Sequence, residues 1–295
     1  MKIGIALPQY EIDVAARAGA WQLALEMTGR AEAHGLDGVW LSDHPFAIGP
    51  DGLPSGAFEP ITGAAALARS TERLRIGTLV LSSAMRSPGL VAHSFRSLSA
   101  IAPGRIVAGL GAGWYEPEHR AFGTPLPPYS ERLASLGRTV EALAALGPER
   151  PEVLLGGTGA GLMELASRAA DTWNVAWDVP PDAYSELNRK LDAACGRVNR
   201  DPRSIARTVG LTVLVAADER GLDGAVDRLR GRAEFLSAVS RGSLEERIVL
   251  GTPERCAERI AAYASDEVVV ALLLRDDPEM LDLFATEVAP KLRPL

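Results

Sequence analysis

The chain is poor in cysteine, with only Cys195 and Cys256 among its 295 residues. Two thiols cannot make a disulfide framework, and no clustered Cys and His surround them as a structural zinc site requires. Both sit in Ala-rich, helix-like stretches and read as reduced, buried thiols. Histidine is equally scarce, four in all, and dispersed at no metal-ligand spacing. Positive charge is not in excess: 31 Lys and Arg against 38 Asp and Glu give a net charge of −7. With no basic run either, a general nucleic-acid binder is excluded, since that function needs a basic face. No apolar stretch reaches the roughly 18 residues of a membrane span. The apolar run in MKIGIALPQY is too short for a signal peptide. Internal repeats, low-complexity tracts and a clear linker are missing as well. These absences leave a globular chain, expected to be soluble, cytoplasmic and without a membrane or nucleic-acid partner. Its 47% apolar content suffices for a large core without staples.

What is present is a regular alternation. Short Val/Ile/Leu-rich runs occur at Lys2 to Leu7, Gly38 to Leu41, Leu74 to Leu81, Arg105 to Leu110, Val153 to Leu155, Thr172 to Ala176, Arg207 to Val215 and Glu267 to Leu274. Amphipathic helical stretches lie between them, among them Trp21 to His34, Pro60 to Ser70, Pro88 to Ala102, Tyr129 to Leu146, Gly161 to Ala170, Asp182 to Asn199 and Pro278 to Lys291. Short continuous apolar runs are the pattern of strands buried on both faces. Strands alternating with helices pair in parallel through right-handed crossovers. Eight such units predict an α/β fold, a (β/α)8 TIM barrel forming one domain over residues 1–295. A doubly wound open sheet is the alternative, but PQYEID after the first run lacks the GxGxxG turn of that fold. Thr252-Pro253-Glu254 predicts a helix start with a capping Thr, and Pro180-Pro181-Asp182 another start. Phe46 to Glu59 is the most irregular stretch and reads as a long loop.

Barrel ligands bind at the C-terminal ends of the strands, so the residues after each run matter most. The second run is followed by Ser42-Asp43-His44-Pro45, the third by Ser82-Ser83-Ala84-Met85-Arg86, and the fourth by Gly111-Ala112-Gly113-Trp114-Tyr115-Glu116. The fifth is followed by Gly156-Gly157-Thr158-Gly159-Ala160-Gly161, and the sixth by Trp177-Asp178. Glycines at a helix start expose unpaired N–H groups to a phosphate; the same glycines equally make a tight turn that binds nothing. Absence of a following Lys-Ser/Thr excludes a Walker A loop. Asp43-His44 is the best candidate for proton chemistry, or else a surface pair with Asp43 as a cap. His34, His93 and His119 read as structural or solvated. Trp114 and Trp177 either wall a flat ring or pack between barrel and helices. Glu116 and Glu118 read as loop acids, with Glu116 the better candidate to face the pocket.

Several stretches together resemble the luciferase-like monooxygenase family of flavin and deazaflavin oxidoreductases, and most closely its coenzyme F-420-dependent branch. They are GLDGVWLSDHPF (35–46), RLRIGTLVLSSAMRSPGLVA (73–92), GRIVAGLGAGWYEPEHRAFG (104–123), LLGGTGAGLMELASRAADTWN (154–174) and GTPERCAERIAAY (251–263). The resemblance implies a deazaflavin coenzyme F-420 at the C-terminal rim, its ring near Asp43 and His44, with Glu116 a third catalytic candidate. It implies a non-prolyl cis peptide at Leu79–Val80 against the ring. Gly111, Ala112 and Gly113 would meet the ring or its side chain, Gly156, Gly157, Thr158, Gly159 and Ala160 would take the phosphate, and Asn174 would contact the cofactor. Trp114 and Trp177 would line the substrate side. The implied activity is hydride transfer between the deazaflavin and a small organic substrate. Alternatives are an FMN-dependent monooxygenase served by a partner flavin reductase, and a catalytically silent barrel that binds a cofactor or partner. Relatives are often homodimers. Two departures bear on function: Trp114 stands near a position where sugar-phosphate enzymes carry an acid, and Leu146 to Pro151 is a short link where many relatives have an insertion.

Overall fold

A computed structural model describes residues 1–9, 19–48, 54–231 and 238–293. Eight parallel strands close on themselves: β1 (Lys2–Ala6), β2 (Gly38–Leu41), β3 (Arg75–Thr78), β4 (Ile106–Gly111), β5 (Glu152–Gly156), β6 (Thr172–Val175), β7 (Ala206–Val215) and β8 (Glu267–Leu272). Each pairs with the next, and β8 pairs back to β1 through Lys2↔Glu267 to Ile5↔Val270. The expected eight runs are these eight strands, and the fold is the expected TIM barrel. The strands β2, β4, β6 and β8 are buried along their whole length, which is why their sequences run apolar without alternation.

The helices used below are α1 (Ala20–Ala33), α2 (Pro60–Ser70), α3 (Pro88–Ile101), α4 (Glu116–Ala121), α5 (Tyr129–Ala144), α6 (Ala160–Ala169) and α7 (Pro181–Arg197). Helix α2 shows how they form. Glu59 accepts a hydrogen bond from the Thr62 N–H at 2.7 Å, and Pro60 opens the first turn. Pro60, Gly63, Ala64, Leu67 and Ala68 then fall on one buried stripe against the barrel.

Three local expectations are corrected. The third run is not one strand: β3 ends at Thr78, and Leu81–Ser82 pairs separately with β4. The break falls at Leu79–Val80, which is a non-prolyl cis peptide as the resemblance implied. The Phe46 to Glu59 stretch is not wholly irregular. Phe46–Ile48 and Pro54–Gly56 form a small antiparallel pair, which satisfies backbone groups that a bare loop would leave to water; residues 49–53 lie outside the described residues. Thr252 precedes its helix as expected, but its side chain makes no cap bond, so Pro253 at the first turn marks that start.

The barrel interior is layered. At the N-terminal end the Arg75 guanidinium bridges Glu267 at 2.7 Å and Glu152 at 2.8 Å, and Thr172 Oγ1 donates to Glu152 at 2.6 Å. Above this plug lies the fully buried Trp40 indole, with Leu79, Val107, Leu154 and Val269. Trp40 fits because its neighbours have no side chains. A methyl group at Gly4 would come within 2.4 Å of the indole, and one at Gly77 within 2.3 Å. Among the described residues the interior is therefore a packed core, and ligands are expected at the C-terminal rim. Both cysteines are buried and free, as expected. Among the described residues no helix is long and apolar enough to cross a membrane.

Gly77→Ala forces an extra carbon against a ring that cannot move, so it is expected to destabilise the protein by about 1–3 kcal/mol. Gly29→Ala, in the middle of α1 with nothing within 4 Å, is expected to stabilise it by about 0.5–1 kcal/mol. Chemical denaturation of the two variants checks the contrast; equal midpoints would contradict it.

Candidate functional site

Three loops converge on Asp43 and His44. Asp43 is buried and lies just beyond β2. It accepts from both Arg86 nitrogens at 2.5 and 2.8 Å and from the Ser82 N–H at 2.7 Å. Arg86 also reaches Glu59 at 3.1 Å. Burial pushes the Asp43 carboxyl above its ordinary range, against these three donors, which favour the anion. Asp43 thus ties the loop after β2 to the loop after β3.

His44 is held from the other side. Its Nδ1 lies 2.7 Å from Glu118 Oε1, and Glu118 is 3% exposed. The hydrogen bond to Glu118 raises the His44 pKa above that of an ordinary imidazole. Burial opposes the shift, and the charges of Glu118 and Asp43 add to it. The imidazole meets two aromatic rings edge-on, Trp114 at 5.9 Å and Tyr115 at 6.1 Å between centroids.

Here the sequence reading chose the wrong acid. Glu116 is exposed and pairs with Arg120 at 2.8 Å, whereas Glu118 faces His44. EPEHRA winds into α4, and residues two apart on a helix point to nearly opposite sides. The same winding buries His119 at 1% exposure, so of the structural and solvated roles open to it the solvated one is excluded.

The floor of the site is built from missing side chains. A methyl group at Gly111 would meet Val80 Cγ2 at 2.6 Å, one at Gly156 would meet Val80 Cγ1 at 2.7 Å, and one at Gly109 would meet the Thr78 carbonyl oxygen at 1.7 Å. The bare backbone of β4 and β5 therefore receives Val80 and the end of β3, and of Gly111 and Gly156 only Gly156 also reaches the cavity. Gly111 and the buried Ala112 lie behind the wall, contrary to the expectation that they face a cofactor. Val80 itself stands in the opening.

That opening is a cavity of about 340 Å³ lined by Asp43, His44, Leu79, Val80, Ser82, Gly113, Trp114, Tyr115, Glu118, His119, Gly156, Gly157, Asn174, Ala176 and Trp177. Ten of the sequence candidates therefore share one wall. Thr158, Gly159 and Ala160 are exposed next to it, at the start of α6, whose N-cap Gly159 supplies no side-chain cap. The Tyr129 hydroxyl lies beside this start, 2.7 Å from where a Gly159 methyl group would sit. Two hydrogen bonds fix the turn: Trp173 Nε1 donates to the Gly157 carbonyl at 2.8 Å, and the Gly157 N–H donates to the Asn174 carbonyl at 3.1 Å. The Asn174 amide donates to Thr208 Oγ1 at 2.8 Å. Gly113 has φ of +80°, and a methyl group there would come 2.4 Å from Ser82 Oγ. That hydroxyl is buried with no hydrogen-bond partner.

Trp114 is 69% exposed and Trp177 39% exposed, so neither is a packing residue of the core. Trp177 lies over Gly210, where a methyl group would touch its ring at 2.8 Å, and follows a second non-prolyl cis peptide, Ala176–Trp177. The sequence reading did not single out Ser82, Arg86, Tyr115, Glu118, His119 or Tyr129 as site residues. A signal existed for two of them: Arg86 is the one arginine in the segment facing Asp43, and a helix at EPEH separates Glu116 from Glu118. Among the described residues no group of three or more His, Cys, Asp or Glu forms a metal site.

The sequence model described as luciferase-like monooxygenase matches residues 1–147 and 138–268. An F-420-dependent glucose-6-phosphate dehydrogenase of Beutenbergia cavernae is 29% identical, covering 94% of this chain and 96% of its own length. The protein of the same description from Nakamurella multipartita is 30% identical over 90% of this chain and 91% of its own. In fold, the chain is similar to an F-420-dependent secondary alcohol dehydrogenase, with a TM-score of 0.81 at 19% identity and 99% coverage of both chains.

Because the bond to Glu118 favours the imidazolium, the stability that this pair contributes is full below the ordinary imidazole pKa. It is lost as pH rises through the raised value for His44. Glu118→Gln is expected to move the His44 titration to lower pH, with burial then dominant. Following the His44 ring protons by NMR checks this; an unmoved titration would show that Glu118 does not set it.

Proposed function

This chain belongs to the luciferase-like monooxygenase family, and from that premise we propose that it is an oxidoreductase using deazaflavin coenzyme F-420 to move a hydride to or from a small organic substrate. The observation that carries the reading is the continuity of one cavity from His44, across Val80, to Gly157 at the threshold of α6. Its parts fit a phosphorylated tricyclic group. Leu79 and Val80 offer an apolar floor to a flat ring. The unpartnered Ser82 hydroxyl offers that ring a polar contact. The open N–H groups at the start of α6 suit a phosphate, with the Tyr129 hydroxyl beside them. The names of the curated relatives support F-420 over FMN.

When bound, the deazaflavin supplies the carbon that takes or gives up the hydride. The protein supplies the rest. His44 holds the proton that the substrate oxygen gains or loses. Glu118 occupies Nδ1 and so orients the ring, leaving Nε2 to exchange that proton. Asp43 does not itself move a proton: with Arg86 and the Ser82 N–H it fixes the loop that carries His44. Trp114 and Trp177 wall the opening. An acidic, cysteine-poor composition supports a cytoplasmic setting.

Titrating the purified protein with F-420 is expected to quench the coenzyme fluorescence at micromolar concentration. Gly159→Asp places a carboxylate at the α6 N-cap, where it caps the helix and occupies the groups offered to the phosphate. It is expected to weaken F-420 binding at least about tenfold, both by that competition and by displacing the Tyr129 hydroxyl, which lies 2.7 Å from the new Cβ. Binding of FMN without F-420 would replace this assignment by the FMN reading, and unaltered affinity in the variant would remove α6 from the phosphate site.

A further inference from the structure

A second cavity, of about 300 Å³, meets the first at Asp43 and His44. Its other walls are largely apolar, with Phe58, Pro60, Met85 and Phe122 foremost. Phe58 is held by an edge-on contact with Trp21 at 5.2 Å between centroids. Phe122 is 60% exposed, a large apolar ring at the mouth with no core to serve. The mechanism above uses this chamber only at its polar edge, where Asp43 and Arg86 fix the loop that carries His44.

The charges around it decide what it can accept. Arg86 is engaged by Asp43 and Glu59 together, and His44 by Glu118. Three carboxylates thus face one arginine and one histidine, and among the described lining residues no cation is left over for an anionic ligand. A phosphate or carboxylate brought into the chamber would be desolvated beside acids without a partner, which is costly. An apolar body loses only water there, and its volume suits a single ring with a short substituent.

Resting on the reading of the first cavity as the cofactor site, we propose that this second chamber is the substrate subsite. It takes an uncharged carbonyl or carbinol compound with an apolar, ring-sized body, whose oxygen lies at His44. The body rests against Phe58, Met85 and Phe122. Sugar phosphates, the substrates named for the curated relatives, are excluded from it by charge.

The test uses cofactor-free protein carrying ¹³C-methyl methionine, with the Met85 signal assigned through Met85→Leu, and acetophenone as probe. Acetophenone is expected to shift the Met85 methyl resonance saturably, and glucose 6-phosphate to leave it in place. Phe122→Ala, at an exposed position, is expected to weaken acetophenone binding about tenfold, as loss of apolar contact in a pocket does, while F-420 quenching stays as in the parent. A Met85 signal indifferent to acetophenone, or one shifted saturably by glucose 6-phosphate, would overturn the proposal. The readouts are separate. If F-420 binds and acetophenone does not, the chamber assignment alone fails. If F-420 does not bind, the cofactor reading fails while the Met85 titration still decides what the chamber accepts.

Discussion

Val80 occupies the space that side chains at Gly111 and Gly156 would fill. The architecture of the rim depends on that steric exchange. With Val80 seated in the hollow of β4 and β5, its side chain becomes the floor of the cavity instead of an obstruction above it. Gly109 accommodates the Thr78 carbonyl in the same way. One layer below, Gly4 and Gly77 do for Trp40 what Gly111 and Gly156 do for Val80. The barrel is closed by large side chains entering glycine gaps, so its interior stays dense and only the rim is left open.

On that floor, electrostatics arranges the loops. Asp43 and Arg86 bind the segments after β2 and β3, and His44 and Glu118 bind the segments after β2 and β4. Each pair satisfies a group that burial would otherwise penalise. One side effect is that the charged groups are spent on one another. His44 and Arg86 each face carboxylates, so one set of pairings underlies both proposals, a proton held at His44 and an uncharged body in the adjoining chamber.

Much of this was legible along the chain. The eight strands, their order and the helices between them were readable because burial on both faces writes itself into each strand as a local apolar run. The family resemblance carried the position of the Leu79–Val80 cis peptide, and the residues after each run carried most of the wall, from His44 to Gly157 and Trp177. The misreadings share a cause. Glu116 was preferred over Glu118, His119 was left undecided between a structural and a solvated role, and Gly111 was assigned to a ligand, because in each case the deciding neighbour is remote or depends on helix phase.

The sequence by itself therefore determined the barrel, through apolar runs legible one strand at a time, and with it the end that binds; the class of cofactor came from the family resemblance of stretches that span most of the chain. The tertiary structure alone decided which acid meets His44 across 74 residues of chain and which glycines yield to Val80. It also decided that an apolar chamber adjoins the reactive corner. Those outcomes are contacts between distant segments, and short-range spacing carries no record of which side chain fills which gap.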